Sequence, residues 1–434
     1  MRTHQTRLLA LVAAALLLGA CGVGESDQTA ARPTAMPNAA APADTLLVRA
    51  TTGASDSLTL LHVAAGSAGI MVAQGALDGP RTTMYTAAPS EPTGHTTVRA
   101  SDPRSGATVR TTTIDGDYQL AQVGLSGSPG GLSPNGRWLV LVGSPQLGAG
   151  QEQDRFAVLD TGFSRKPTAI KLDGRFSFDA ISDDGSALYL TEHLVADLSK
   201  YQVRLYDLAA GALDPRIIVD KANQGVMRGV RHVALPSQNG EWLFSLYLND
   251  AQGPFIHALN MTNRFAMCVP LLPDGKDDHA LQLRYTLALS PDGTRLYAVN
   301  GALGLVSVLD TASPYEVQHT RLQGGTATPG SAAHPAQHHD SNQPTVIAPG
   351  TQIPAGYAAI SPDGMRLYVL GARGLLALDT RTLKPLAGFT ADMPIDSVAL
   401  SADGQRLYAG SSTQRAIMQL DPASGALIRT LGGT

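Results

Sequence analysis

The sequence has no basic block. Its 32 lysines and arginines are scattered among 36 aspartates and glutamates. Without Arg2 and Arg7, which precede the apolar run described below, 30 basic residues face 36 acidic ones, a formal charge of −6. That balance argues against nucleic acid as a partner. The chain also lacks any long segment of helical period, while 45 glycines and 27 prolines break it into short apolar runs. Such punctuation points to an all-β fold of many short strands. Three reaction motifs are missing too: a Gly-x-Ser-x-Gly elbow, a Cys-x-x-Cys-His haem attachment and a phosphate-binding glycine loop. No cofactor is expected.

What is present begins at the N-terminus. Arg2 and Arg7 lead into the apolar run Leu8 to Ala20, the n-region and h-region of a signal peptide and too short for a permanent membrane span. The run ends in Leu18-Gly19-Ala20-Cys21-Gly22, which resembles the bacterial lipoprotein signal. The resemblance implies cleavage before Cys21, lipidation of that cysteine, and, with Gly22 next, delivery to the outer membrane. The membrane is then a partner through the N-terminal lipid. Residues 21–43, rich in Ala, Pro and Thr, read as a flexible tether. Only Cys268 remains as a thiol, and among Met267, Val269 and Leu271 it is expected to be a buried small hydrophobe.

Residues 44–434 form the remaining domain and are dominated by a repeat. Leu287 to Asn300, L-A-L-S-P-D-G-T-R-L-Y-A-V-N, returns at Gly131 to Leu141, Ala180 to Leu190, Ala358 to Leu370 and Val398 to Gly410. Each copy reads as a β-hairpin: Pro presets the first turn corner, Asp caps it, and Gly supplies positive φ before the second strand. Two landmark series interleave one for one. Turn glycines stand at Gly79, Gly136, Gly185, Gly240, Gly293, Gly364 and Gly404. A third strand ends at Asp102, Asp160, Asp207, Asn260, Asp310, Asp379 and Asp421. Seven units of four antiparallel strands predict a seven-bladed β-propeller. Leu46 to Thr52 and Leu58 to Gly66 read as two more strands, so residues 44–73 are either closing strands or a partial eighth blade without its inner strand. Eight blades are the alternative.

The copies Ser290-Pro291-Asp292-Gly293, Leu296-Tyr297-Ala298-Val299-Asn300 and Val308-Leu309-Asp310-Thr311 resemble the YVTN-type propeller family over roughly Gln74 to Leu431. These are turn and core positions, so the resemblance implies a fold more than a function. The Tyr after each turn (Tyr189, Tyr297, Tyr368, Tyr408) is expected in the core. There are no Trp-Asp blade endings, and Trp138 and Trp242 are too few for the tryptophan-docking blades of quinoprotein propellers.

Function is sought in the loops that open on one face. Entering the inner strands are Arg228, Arg231 and His232, then His279, Arg284 and Tyr285, then Tyr357, then Asp396; Glu192 and His193 follow a second strand and share the face. The candidate binding set is Arg228, Arg231, His232, His279, Arg284, Tyr357, Asp396, Glu192 and His193, which could hold an anionic or hydroxylated ligand. Taken singly, each is equally a solvated rim residue or a structural hydrogen bonder. The insertion 324–353 emerges on the same face and carries His334, His338, His339 and Asp340, types that ligate metals. Its Gly, Pro and Ser supply no rigid frame, so it is read as a mobile polar loop without a metal.

The preferred reading is a lipid-anchored binding or scaffolding module of the cell envelope, held at the outer membrane and facing the periplasm, with a protein, an envelope component or a small molecule as partner. No catalytic residue is assigned. The alternative is a lactonase-like hydrolase, which the family resemblance implies; against it, the Asn-Glu pair of those enzymes is Asn300-Gly301 here. A weaker alternative is an accessory subunit of a periplasmic redox complex.

Overall fold

The computed structural model describes residues 44–433 except 53–54, 64–69, 91–93, 126–127, 144–152, 195–196, 219–225, 250–251, 272–278, 323–344, 348–356, 390 and 412. The expected signal sequence, Cys21, the expected tether, and His334, His338, His339 and Asp340 lie outside the described residues. Ala43–Thr434 forms one compact unit.

This unit is a β-propeller of eight antiparallel sheets, each of three to five strands, not of seven. Each of the seven repeats is a blade, and the chain before them supplies the eighth. Blade 1 contains Thr45–Thr52, Ser55–His62 and Ile70–Val72, and its first position is filled by Thr345–Ile347. That strand pairs antiparallel with Thr45–Thr52, Leu47 opposite Ile347 and Val48 opposite Val346. The inner strand that the first two strands lack in sequence thus comes from the insertion between blades 6 and 7. Part of the segment read as a mobile loop is therefore a structural strand.

Blades 2, 3 and 4 carry their third strands at His95–Ser101, Gln153–Asp160 and Asp197–Asp207. Those of blades 5 to 8 are Phe255–Asn260, Leu305–Asp310, Leu375–Asp379 and Ala416–Leu420. Blade 7 is a three-stranded ladder whose fourth position is marked by isolated pairings of Pro385 and Ala391. Inner strands pack side by side from Val230–Pro236 of blade 5 through Thr286–Leu289, Ala358–Ile360 and Ser397–Leu400 to Thr345–Ile347.

The repeat residues explain the stacking of the blades. In the blade-6 turn Ser290 Oγ donates to Asp292 Oδ1 at 2.5 Å and accepts from Arg295 N at 2.9 Å, while Asp292 Oδ1 accepts from Thr294 N at 3.1 Å. The same serine-to-carboxylate or serine-to-amide bond recurs at Ser133, Ser182, Ser237, Ser361 and Ser401. The turn glycine has positive φ, 71° at Gly293, and a second constraint: a Cβ there would lie 2.9 Å from Gln238 of the preceding turn. The turn of one blade thus rests on the glycine of the next. The repeat tyrosines are core residues as expected, and their hydroxyls reach across blades. Tyr189 donates to Met261 O (2.5 Å), Tyr368 to Pro422 O (2.7 Å) and Tyr408 to Asp44 Oδ2 (2.5 Å). Burial holds the Tyr189 hydroxyl at a pKa of about 12, so it is a permanent donor.

Blade 3 departs from the pattern. Its first position is a hairpin, Tyr118–Val123 with Ser128–Gly130, and this hairpin packs against the inner strands of blades 4 and 5 as well as Ala76–Leu77 of blade 2. Leu125 N donates to Arg231 O at 2.9 Å. Gly124, at φ 69°, passes so close to His232 that a Cβ would lie 2.3 Å from its carbonyl oxygen. The hairpin braces the stretch of blade 5 that carries two of the candidate residues.

Candidate functional site

Blade 4 presents one face of its sheet to blade 5. On that face Ser177 lies opposite Thr191 and Arg175 opposite His193; across the next ladder Thr191 meets Val203 and His193 meets Tyr201. The period-two alternation turns Glu192 to the other face, where its Oε2 accepts from Gln202 Nε2 (2.6 Å) and Arg204 Nη1 (2.7 Å). Blade 5 answers with Arg231 opposite Tyr247 and Tyr247 opposite Phe255. Between the two lies a cavity of about 110 Å³ lined by Ser177, Thr191, His193, Tyr201, Gly229, Val230, Arg231 and Tyr247.

Both inner strands are bulged at matching places. Asp179 is the extra residue in blade 4, between Phe178 and Ala180, and His232 in blade 5, between Arg231 and Val233. The Asp179 bulge is clamped from the next blade: Arg231 Nη1 reaches its Oδ1 at 2.5 Å and Nη2 donates to Phe178 O at 2.6 Å. The two side chains are 9% and 1% exposed, so each charge is kept in the interior by the other. The His232 bulge likewise reaches to the following blade, where its Nε2 donates to Tyr285 O of blade 6 at 3.0 Å. His232 is therefore a buried structural hydrogen bonder.

Inside the cavity His193 Nε2 and Ser177 Oγ are 3.0 Å apart. The rings of Tyr201 and Tyr247 stack at 4.9 Å and 14°, continued by Phe255 against Tyr247 at 5.3 Å. Burial pushes the hydroxyls of both tyrosines well above the ordinary phenol value, so they stay protonated. Arg228 stands outside, half exposed, paired with Asp197 at 2.7 Å.

Arg284, Tyr357 and Asp396 assemble separately. They precede the inner strands of three successive blades, and Arg284 and Asp396 each lie within electrostatic reach of Tyr357: burial raises the Tyr357 hydroxyl, Arg284 pulls it down and Asp396 pushes it up. They are brought together, but none lines the cavity. His279 opens the short helix His279–Gln282, and its side chain lies outside the described residues.

Sequence reasoning named His193 and Arg231 but missed Asp179, Ser177, Thr191, Tyr201 and Tyr247. One signal was readable: Asp179 interrupts the strand F-S-F-D-A-I, and a carboxylate in an apolar strand demands a buried cation. Among the described residues no group of three or more His, Cys, Asp or Glu is placed to hold a metal. Cys268, expected to be buried, is half-buried with its Sγ 4.0 Å from His257 Nδ1. The Asn300-Gly301 departure also has a cause. Asn300 Nδ2 donates to Leu281 O at 2.7 Å, and a Cβ at position 301 would lie 2.3 Å from Leu370 O, so blade 7 leaves no room for a glutamate.

No protein-family model and no curated protein matches the chain. Solved structures do. Apo AztD from Citrobacter koseri is 12% identical, covering 89% of this chain and 94% of that one, with a TM-score of 0.50. The periplasmic gluconolactonase PpgL of Pseudomonas aeruginosa is 18% identical over 90% of this chain and 96% of that one, TM-score 0.43. TolB from Acinetobacter baumannii is 14% identical over 64% of each chain, TM-score 0.36. At 12% identity the likeness to AztD is one of fold alone.

Proposed function

We propose that this protein is a lipid-anchored, extracytoplasmic propeller that acts as a binding module of the cell envelope, with its binding site between blades 4 and 5. One observation carries the reading. The cavity there sets a few polar side chains in a largely apolar wall, is braced from blade 3 and blade 6, and its charges are already matched: Arg231 by Asp179, with Arg228 by Asp197 and Glu192 by Arg204 around it. Such a site is preorganised to hold a molecule rather than to attack one. The lipoprotein-like Leu18-Gly19-Ala20-Cys21 supports the anchor and the envelope location.

The hydrolase alternative asks Arg231, His232, Arg284 and Asp396 to converge on one cavity. Instead His232 is bound to a backbone carbonyl, and Arg284 and Asp396 gather at Tyr357. The Ser177 and His193 pair is the observation left to it. Hydroxyl–imidazole contacts also occur between directly opposed residues elsewhere, Thr45 with His62 at 3.0 Å and Ser307 with His319 at 2.9 Å, so such a contact, here a diagonal one, is also a structural device of the sheets.

Native mass spectrometry of the protein extracted in detergent from its own envelope tests the proposal. The expected spectrum shows a chain beginning at Cys21 with added lipid mass and a stoichiometric bound species that is lost in Val230→Trp, which fills the rim of the cavity. A bare chain together with turnover of a lactone panel abolished by Ser177→Ala would replace binding with hydrolysis.

A further inference from the structure

Building on that reading, we propose that the ligand of the cavity between blades 4 and 5 is a small, uncharged, hydroxyl-rich molecule of the short polyol class. Charge is the first constraint on the ligand. Arg231 and Asp179 neutralise each other at 2.5 Å, and both side chains are at least nine-tenths buried. An anion would have to take Arg231 from Asp179 and leave a buried carboxylate alone; a cation would do the reverse. Either exchange strands a charge in the interior, which disfavours charged ligands of both signs. The sequence alone left an anionic ligand open, and the ion pair closes that option.

Unmet hydrogen bonding in the cavity wall is the second constraint. Tyr201 and Thr191 line the cavity and are 1% and 4% exposed, yet neither the Tyr201 hydroxyl nor Thr191 Oγ1 has a hydrogen-bond partner of good geometry. Both lie within reach of the Tyr247 hydroxyl, which burial keeps protonated and whose single O–H can serve only one of them at a time. Asp179 Oδ2 is a further buried acceptor without a partner. Buried polar atoms of folded proteins are nearly always satisfied; Tyr201 and Thr191 are the exceptions among the residues that line the cavity, with Asp179 beside them through Arg231, and a molecule in the cavity can supply the missing bonds.

The required partner must donate and accept at closely spaced points. A hydroxyl does both, whereas a carboxylate only accepts and an ammonium only donates. Adjacent hydroxyls on a short carbon chain match donors and acceptors at Tyr201, Thr191 and the Ser177–His193 pair. The size agrees: about 110 Å³ holds several waters or one compact molecule of a few carbon atoms. Entry is past Gly229 and Val230, the latter 47% exposed.

Isothermal titration calorimetry of the full chain with glycerol and erythritol, and with glycerate as the charged counterpart of glycerol, decides the matter. The expected result is saturable heat with at least one neutral compound. It should weaken by about tenfold or more in Tyr201→Phe/Thr191→Val, because a site built around hydroxyls loses its partners when they are removed. Val230→Trp, an exposed substitution that leaves the core untouched, is expected to abolish it, and glycerate to bind more weakly than glycerol. Absence of saturable binding by every neutral compound, tighter binding of glycerate, or undiminished binding in both variants would each overturn the inference. A bound species in the native spectrum without any polyol response would overturn the ligand class alone and leave the binding-module reading standing.

Discussion

At the scale of single residues, the site is expensive to keep. The Tyr201 hydroxyl is removed from water without a good hydrogen bond in return, and such a group costs about 1–3 kcal/mol. Tyr201→Phe is therefore expected to raise the thermal midpoint of the ligand-free protein while weakening binding. Opposite signs for stability and affinity are the mark of a functional residue, and a scan by circular dichroism reads the first of them. A fall in midpoint would mean that the hydroxyl supports the fold. Arg231 and His193 could be found in the sequence because polar residues near the start of an inner strand or the end of a second strand fall on one face of the propeller. Tyr201 could not, since it looks like any apolar strand residue until the third strand of blade 4 is seen to run eleven residues, Asp197–Asp207, past the length of its neighbours.

At the scale of elements, the Ser-x-Asp-Gly turns were fully legible, because every bond that makes them lies within five residues. Their aspartates also set a pH limit. Asp184, Asp292, Asp363 and Asp403 are held below the ordinary carboxylate range, chiefly by the serine two residues earlier. A depressed folded pKa gives stability that is present above the unfolded value and lost as pH falls through the folded one. Thermal midpoints are therefore expected to be flat near neutrality and to fall progressively below about pH 4. Ser290→Ala, which removes one such donor, should make that acid loss shallower; an unchanged pH profile would contradict the assignment. Blade 1 was only half legible. Its two N-terminal strands show in the apolar pattern, but Thr345–Ile347 is short, lies in a Gly, Pro and Ser-rich insertion, and pairs with a segment at the other end of the chain. No local signal announces such a pairing. Val346→Pro removes a backbone donor opposite Val48 and is expected to weaken the pairing. Hydrogen exchange of the peptide containing Leu46 to Val48 should accelerate if the strand belongs to blade 1, and stay unchanged if it does not.

At the scale of the whole domain, seven repeats are closed into a ring by an eighth blade that is not one of them. The closure has a polar lock and an apolar seam. Asp44 accepts from Arg406 Nε and Tyr408 Oη, both at 2.5 Å, while Leu46, Val48 and Val63 pack against Ala399, Tyr408 and Ile417 of blade 8. Charged hydrogen bonds of this kind are worth about 1.5–3 kcal/mol. Asp44→Ala should lower the thermal midpoint and speed amide exchange along both blade 1 and blade 8; loss confined to blade 1 would show that the ring is closed elsewhere. The count of seven followed from counting turns, since blade 1 has no such turn to count.

The central claim is that recognition takes place between blades 4 and 5 on a rigid ring. Hydrogen exchange of the purified protein, alone and with an extract of its own envelope, measures this most directly. Slower exchange is predicted in the peptides covering Ala187–Leu194, Asp197–Asp207 and Val230–Pro236, with the other blades unchanged. Protection centred instead on Arg284, Tyr357 and Asp396, or no protection anywhere, would contradict the account.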